Sequence, residues 1–175
     1  MDCKCKMERN DKIINHAYTS FDAKSINESF ARMVVMAFMT DMNPTLDELE
    51  DVKTAVSEAV TNAIIHGYNI ESEEGQAPHT NQQVEVSCMR EGQKLVVSIV
   101  DHGIGIEDVE EAKQPFFTTK PEQERSGMGF SFMESFMDEV QVESVLGLGT
   151  KITMRKRIKS NIEKEELAVS IRREE

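Results

Sequence analysis

The chain has 175 residues, of which 39% are hydrophobic and 30% are charged, and its formal net charge at pH 7 is −12. The length suits one ordinary domain, and the acidic balance argues against nucleic acid or an anionic membrane surface as a partner, because binding phosphate needs a basic face. No apolar run approaches the roughly 20 residues of a membrane-spanning helix, and the first residues lack the apolar stretch of a secretory signal.

The first predicted elements are a strand and a helix. Residues 1–12 are polar and are expected to form a loose N-terminal extension. Residues 13–21 partly alternate between apolar and polar side chains, which is typical of a strand. Ser25 and Glu28 have the spacing of a capping box, in which the two side chains satisfy the first amides of a helix. That helix is predicted to run to about Met42.

A second helix follows directly. The pair Asn43-Pro44 ends the first helix, because the residue before a proline leaves the helical region. Thr45 and Glu48 form a second capping box, and Gly67 is a suitable C-terminal cap. Apolar residues recur at i, i+3 and i+4 along this helix, which predicts that one face packs on a core. These residues are Val52, Ala55, Val56, Ala59, Val60, Ala63 and Ile64.

The second half of the chain predicts strands around a glycine-rich segment. Residues 69–82 are polar and suit a surface loop, and residues 84–88 alternate as in a half-exposed strand. Residues 95–100 are nearly all apolar, which indicates a central strand. The segment 101–128 is rich in Gly, Thr, Pro and charge, and a helix over 129–137 follows it.

The chain closes on a predicted hairpin over 140–145 and 150–158, followed by a mostly charged tail over 159–175. The element order favours an α+β fold: a two-layer sandwich in which helices cover a mixed, mainly antiparallel sheet. We expect this domain to span residues 13–158.

Three polar residues stand one turn apart on the second helix, at the border of its apolar stripe. Glu58, Asn62 and His66 share one face because i and i+4 side chains are neighbours on a helix. A carboxylate beside a buried face is costly unless it is hydrated or paired. An amide oxygen suits Mg²⁺, and a neighbouring carboxylate can take a proton from an attacking hydroxyl. The alternative interpretation is a polar boundary row satisfied by local hydrogen bonds.

Two glycine loops flank the predicted central strand and the helix over 129–137. Asp101 follows the strand directly and can accept from an exocyclic amine, while Gly103 and Gly105 let the backbone approach a ligand. The second loop precedes the helix, so its amides predict an anion site. It consists of Ser126, Gly127, Met128 and Gly129. Neither loop has the spacing of a Walker or Rossmann motif, and plain turns are the alternative.

Hydroxyls and cations between the two glycine loops suggest a lid on phosphates. The residues concerned are Thr118, Thr119, Lys120 and Arg125. The alternative is a solvated, charged loop.

The cysteine count bears on the compartment. Cys3, Cys5 and Cys88 are an odd set without a disulfide framework, which is typical of reduced thiols. No Cys or His pair follows Cys3 and Cys5 at the spacing of zinc ligands. We therefore expect free, solvent-facing thiols in a cytoplasmic protein.

In chain order, the motifs resemble the ATPase superfamily shared by gyrase, histidine kinases and the MutL mismatch-repair proteins. Within it, they are very similar to the sporulation anti-sigma F factors, a family of small serine kinases of spore-forming bacteria. The matching stretches are NESFAR at 27–32, VSEAVTNAIIHGY at 56–68 and ERSGMGF at 124–130. The resemblance implies the histidine-kinase-like ATPase fold.

The resemblance also implies roles for single residues. Asn62 resembles the family's Mg²⁺ ligand and Glu58 its general base. Asp101 resembles the residue that reads the adenine amine, with Thr150 supporting it through water. Arg125 resembles a lid arginine that senses the γ-phosphate, and Arg32 resembles an arginine that contacts the sigma factor. The other implied ATP or ADP contacts are Gly103, Gly105, Thr118, Thr119, Lys120, Ser126, Gly127, Met128 and Gly129.

The implied function is a switch with two protein partners. A homodimer would hold sigma factor F away from RNA polymerase and, with ATP and Mg²⁺, phosphorylate a serine of the competing anti-anti-sigma factor. ADP would favour the opposite, inhibited complex. The alternatives are a stress-response anti-sigma kinase, a histidine-kinase ATPase fragment, and a sequestering module in which the nucleotide is only structural.

Overall fold

A five-stranded sheet forms one layer of the computed structural model, which describes residues 13–68, 82–115 and 127–159. Its strands lie in the order β1-β2-β3-β5-β4, and every pairing among these described strands is antiparallel. The strands are β1 Ile13–Asp22, β2 Gln83–Glu91, β3 Lys94–Asp101, β4 Glu139–Val145 and β5 Gly149–Arg157. The predicted α+β fold, its central strand β3 and its closing hairpin β4-β5 are confirmed.

Helices cover one face of this sheet. They are α1 Asn27–Met39, α2 Leu46–Asn62 and α4 Gly129–Phe136, while a short helix, α3 Val109–Ala112, buries none of its residues. The apolar stripe predicted on α2 is buried, and it meets the buried side chains of the alternating strands β2 and β3. Because α1 and α4 both pack on α2, the second helix is the central helix of the helical layer.

The two predicted capping boxes have different outcomes. At α2, Thr45 accepts from the backbone N–H of Glu48, and the Glu48 carboxylate accepts from that of Thr45, as predicted. At α1, the N-cap is Ile26 and no side chain caps it. Glu28 instead accepts from Arg32 at 2.6 Å. The Glu28 carboxylate therefore pairs with Arg32, one turn along the helix, and the predicted capping box is wrong.

The ends of both long helices also depart from the simplest prediction. Helix α1 gives way to a 3-10 turn, Thr40–Met42, and then to Asn43, whose φ of 51° is left-handed. Helix α2 ends at Asn62 and continues as a π turn, Ala63–Gly67. Gly67 is thus the last residue of the helical segment, but it does not adopt the left-handed conformation of a glycine cap. Wider π turns are frequently found at functional sites.

Cys88 corrects the expectation of solvent-facing thiols. It lies on β2 with its side chain buried in the core, and it forms no disulfide. Burial raises the pKa of the Cys88 thiol to about 12. Cys3 and Cys5 lie outside the described residues, as do the predicted extension 1–12 and most of the predicted tail.

We expect Cys88 to resist alkylation in the folded protein. At pH 8 a thiol of that pKa is ionised in roughly one molecule in 10⁴, and the thiolate is the reactive form. In a variant carrying Cys3→Ser and Cys5→Ser, iodoacetamide should modify the native chain at least about 100-fold more slowly than the urea-unfolded chain. Equal rates, measured by mass spectrometry, would contradict this burial.

No helix within the three described ranges is long and apolar enough to cross a membrane.

Candidate functional site

A cleft of about 730 Å³ opens where the end of α2, the loop after β3, the turn between β4 and β5 and the start of α4 meet. Its lining includes six residues that the sequence predicted for one site. They are Asn62, Asp101, Gly105, Gly127, Gly129 and Thr150. The fold therefore brings together residues separated by up to 88 positions in the chain (62 to 150).

The polar row on α2 borders the core as predicted. Glu58 and Asn62 lie on α2, and His66 lies in the π turn that continues it. All three are half-buried, and the residue that follows each of them is buried. Helix α4 begins against this row: a Cβ atom at Gly129 would lie 3.1 Å from Glu58 Oε2 and 3.4 Å from the Asn62 side-chain amide atoms. Gly129 thus lets the start of α4 approach the predicted base and metal ligand directly.

Asp101 is the buried carboxylate of the cleft, with 4% of its surface exposed. Its Oδ1 accepts from the backbone N–H of Gly103 at 2.9 Å. Burial raises the pKa of Asp101 above its ordinary value of 3.8, and backbone hydrogen bonds from Gly103 and Thr150 act in the opposite direction. A hydrogen-bond acceptor held inside a cleft in this way can bind a donor group of a ligand specifically.

Gly67 lies against Asp101 at the site, although its sequence position predicted only a helix cap. A Cβ atom at Gly67 would lie 2.7 Å from both Cγ and Oδ1 of Asp101. The Gly67 carbonyl accepts from Ile104 N–H at 2.8 Å, and a side chain at Gly103 would overlap that same carbonyl. The π turn therefore presses against the first glycine loop. The sequence signal was the His-Gly-Tyr end of the motif, but no pattern indicated this contact.

The turn between β4 and β5 closes the other side of the cleft. Gly147 N–H donates to the Ile104 carbonyl at 2.8 Å. Ser144 Oγ accepts from Ile106 N–H at 2.7 Å and lies 2.9 Å from Thr150 Oγ1. Gly105 has a φ of 73°, and a side chain there would overlap the Val145 carbonyl. The first glycine loop is thus held between the π turn and this hairpin.

Tyr68 holds the loop from outside the cleft, and the sequence analysis assigned it no role. Its hydroxyl donates to the Gln83 carbonyl and accepts from His102 N–H at 2.9 Å. His102 in turn lies 2.9 Å from Glu85 Oε1. His102, the residue next to Asp101, therefore contacts Glu85 on β2 and Tyr68, the residue that follows the π turn.

The start of α4 is where the sequence predicted an anion site. Met128 is the N-cap, and no described side chain caps it. Gly127, with a φ of 62°, lines the cleft immediately before it. The predicted contacts Thr118, Thr119, Lys120, Arg125 and Ser126 lie outside the described residues.

The described residues contain no group of three or more His, Cys, Asp or Glu side chains that could hold a metal ion. Asn62, which the sequence predicted as a metal ligand, lines the cleft. A single hard oxygen ligand suits an ion that keeps several waters and shares itself with ligand phosphates, as Mg²⁺ does.

Arg32 lies on α1 and does not line the cleft. Its guanidinium is bound to Glu28 at 2.6 Å, Ser29 Oγ at 2.9 Å and Ser57 Oγ at 3.2 Å. About 29% of the side chain is exposed. Ser57 precedes Glu58 on α2, so this arginine joins the outer surface of α1 to the helix that carries the polar row.

Comparison with known proteins gives one consistent picture. Residues 13–156 match the family model of the histidine kinase-like ATPase domain. A protein named anti-sigma F factor from Geobacillus kaustophilus is 52% identical over 144 residues, which is 82% of this chain and 93% of that protein. The anti-sigma F factor of Clostridium kluyveri is 53% identical over 142 residues, covering 81% of this chain and 94% of that protein.

A solved structure matches the fold. The crystal structure of the RsbU and RsbW domains of a Mycobacterium tuberculosis protein aligns with a TM-score of 0.55 over 82% of this chain and 32% of that chain. The sequences are 16% identical, so this likeness concerns the fold alone.

Proposed function

Because the chain belongs to the anti-sigma F factors and to the histidine kinase-like ATPase domain family, we propose that it is a cytoplasmic anti-sigma factor and ATP-dependent serine kinase. As a homodimer it binds sigma factor F and phosphorylates a serine of the anti-anti-sigma factor, which releases that competitor. The observation that carries the proposal is the cleft that is lined by Asn62 and Asp101, with Glu58 of α2 next to the first residue of α4, Gly129.

The cleft fits ATP or ADP in size and chemistry. Its volume of about 730 Å³ lies within the range of roughly 300–1,000 Å³ that is usual for ligand pockets. Asp101 is the acceptor for the adenine amine, and the Thr150 hydroxyl lies opposite it in the register of β3 and β5. A Cβ atom at Gly103 or Gly105 would overlap neighbouring backbone, so these glycines keep the first loop close to the π turn and to the hairpin. Exposed backbone amides at such loops favour contacts with phosphates.

The phosphate end of the cleft contains Asn62 and the start of α4. In the proposal Asn62 holds Mg²⁺, which would neutralise charge on the phosphates. The amides around Gly127, Met128 and Gly129 bind phosphate oxygens. The remaining proposed phosphate contacts are Ser126 of the same loop and, from the segment between the glycine loops, Thr118, Thr119, Lys120 and Arg125.

Glu58 is the proposed general base. Its carboxylate accepts the proton of the partner's serine hydroxyl. The serine oxygen then forms a bond to the γ-phosphorus, and the bond from that phosphorus to the bridging oxygen breaks to leave ADP. Such transfers depend mainly on positioning and charge neutralisation, and the half-buried position of Glu58 on α2 limits the freedom of its side chain.

The test is transfer of label from γ-labelled ATP, with Mg²⁺, to a purified anti-anti-sigma factor. Label on a partner serine supports the kinase proposal. Retention of sigma factor without any label would leave a non-catalytic sequestering module, and transfer with retention of a stress-response sigma factor instead of sigma factor F would favour the related kinase. Hydrolysis without a protein acceptor would indicate a simple ATPase.

Asp101 gives a prediction about pH. Only its carboxylate form is a charged acceptor for the adenine amine, so the affinity for ADP should fall as the pH is lowered through a midpoint above 3.8. In contrast, the contribution of Asp101 to the free energy of unfolding should increase as the pH is lowered. Its folded pKa is raised, so the folded chain binds the proton more tightly and is stabilised by acidification.

Isothermal titration of wild type and Asp101→Asn across pH 4–7 checks this, since the titration of the ADP phosphates cancels in the difference between the two proteins. We expect weak, pH-independent adenine recognition in Asp101→Asn. Identical pH profiles for the two proteins would contradict the assignment of Asp101.

Arg32 gives a prediction about the partner. We expect Arg32→Ala to weaken sigma factor retention roughly tenfold or more, as for other arginines central to an interface. The affinity for ADP should not change, because Arg32 does not line the cleft. Lys53→Ala on α2, which removes a cation paired with Glu50, is the matched control. Unchanged retention in Arg32→Ala would exclude this residue from the interface.

A further inference from the structure

Ser144 is a half-buried hydroxyl that neither the predicted motifs nor the proposed mechanism uses. It lies near the end of β4 and contacts three polar groups on two walls of the cleft. Ile106 N–H donates to Ser144 Oγ at 2.7 Å, the Gly149 carbonyl lies at 3.1 Å, and Thr150 Oγ1 lies at 2.9 Å. Both Ile106 and Thr150 line the cleft, whereas Ser144 does not.

The proton count of this hydroxyl limits what Thr150 can do. A serine hydroxyl has one proton and two lone pairs, and Ile106 N–H occupies one of the lone pairs. If Ser144 donates to the Gly149 carbonyl, Thr150 must donate to Ser144, and only its lone pairs face the cleft. If Ser144 donates to Thr150 Oγ1, the Thr150 proton is available to the cleft. Ser144 therefore determines whether Thr150 acts as donor or acceptor.

The two states suit different bases. Beside its exocyclic amine, adenine carries the ring nitrogen N1, which is an acceptor, and guanine carries at the corresponding positions an oxygen acceptor and an N–H donor. The Asp101 carboxylate, opposite Thr150 in the strand register, matches the amine. A Thr150 hydroxyl that donates, directly or through a water, matches the adenine ring nitrogen.

We propose that Ser144 is a positioning residue for adenine recognition: through its contacts with Thr150 Oγ1 and the Gly149 carbonyl it sets the direction of the Thr150 hydroxyl, and it fixes the first glycine loop through Ile106. This inference rests on the proposed nucleotide-binding function. Loss of the hydroxyl leaves the Ile106 amide without its partner and lets the Thr150 hydroxyl turn.

The matched control lies in the same sheet. Ser98 and Thr153 form another cross-strand hydroxyl pair involving β5, at 3.2 Å, and neither residue lines the cleft. Ser98→Ala therefore removes the same kind of interaction away from the base. Comparing it with Ser144→Ala separates recognition of the nucleotide from stability of the sheet.

The experiment is isothermal titration of the full chain with ADP and with GDP, together with thermal melting. We expect Ser144→Ala to raise the Kd for ADP roughly 5- to 20-fold, which is the scale of one or two lost hydrogen bonds, and to reduce the preference for ADP over GDP. Ser98→Ala should change the melting temperature without changing either Kd. Ser144→Thr, which keeps the hydroxyl, should restore the wild-type Kd for ADP. In Thr150→Val, removing the Ser144 hydroxyl should have less than half of its wild-type effect.

The outcomes are distinct. An ADP affinity of Ser144→Ala within twofold of wild type, or an equal loss in Ser98→Ala, would overturn this inference while the proposed function stands. A wild-type chain that binds no ADP would overturn the proposed function, and this inference with it.

Discussion

Replacing Glu58 by glutamine is expected to reduce phosphotransfer to the anti-anti-sigma factor roughly 10²- to 10⁴-fold, the usual contribution of a general base. Glutamine keeps the length and the packing of Glu58 against the start of α4, where a Cβ atom at Gly129 would lie 3.1 Å from the carboxylate. It cannot accept the serine proton. The Kd for ADP should stay within about twofold of wild type, because Glu58 does not line the cleft described here.

The control for this variant is Glu50→Gln on the same helix. Glu50 is exposed and paired with Lys53 at 2.8 Å, so its substitution removes one negative charge from α2 far from the cleft. Rates are measured under single-turnover conditions with saturating ATP, so that binding and transfer are separated. Near-normal transfer by Glu58→Gln would exclude it as the base, and an equal loss in Glu50→Gln would assign the effect to charge alone.

The elements that the sequence predicted well are those fixed by local pattern. The apolar stripe of α2 repeats over several turns, and the Thr45 and Glu48 capping box depends only on residues three apart, so both are confirmed. The central position of β3 follows from its apolar run, which needs a neighbour on each side. Such features are determined by the residues of one segment of the chain.

The predictions that failed depend on partners elsewhere in the structure. Glu28 has the right spacing for a capping box, but it pairs with Arg32, which also contacts Ser57 from α2. Cys88 was expected at the surface, but the alternation of β2 places its side chain against the core. Composition and spacing do not determine these contacts, because the contacts form only when two elements pack together.

The candidate site divides in the same way. Its motifs could be located from residue types and from the family resemblance, and six of the predicted residues line one cleft. The supporting contacts could not be predicted. Ser144 sits in an ordinary alternating strand, and its role depends on Ile106, 38 residues earlier in the chain. Gly67 was interpreted as a cap from its position at the end of a helix. The contact that requires glycine there is made with Asp101 of β3, which the local sequence does not reveal.

Gly67→Ala is expected to disrupt adenine recognition by moving Asp101. The new Cβ atom would lie 2.7 Å from Cγ and Oδ1 of that carboxylate, closer than real Cβ atoms approach such groups. Two effects on stability oppose each other: alanine favours the helical backbone by about 1 kcal/mol, whereas overpacking costs about 1–3 kcal/mol. The net loss of stability should therefore be small, and the chain should fold.

The effect on nucleotide affinity should be larger than the effect on stability. Asp101 Oδ1 also accepts from Gly103 N–H, so a displaced carboxylate loses its position relative to both the loop and the adenine amine. A hydrogen bond to a charged group contributes about 1.5–3 kcal/mol, so we expect the Kd for ADP to rise roughly 10- to 100-fold. Titration calorimetry of the folded variant measures this directly.

Gly92→Ala is the control that separates backbone strain from crowding. Gly92 has a φ of 60°, but a Cβ atom there would meet nothing within 4 Å. Its left-handed backbone should cost about 1–2 kcal/mol of stability without affecting the cleft. If Gly67→Ala and Gly92→Ala bind ADP equally well, the close approach of the π turn to Asp101 has no role in recognition. A different result is that Gly67→Ala alone binds ADP weakly while its melting temperature is no lower than that of Gly92→Ala. The loss of affinity then arises at the Asp101 carboxylate, because global destabilisation would weaken binding in both variants.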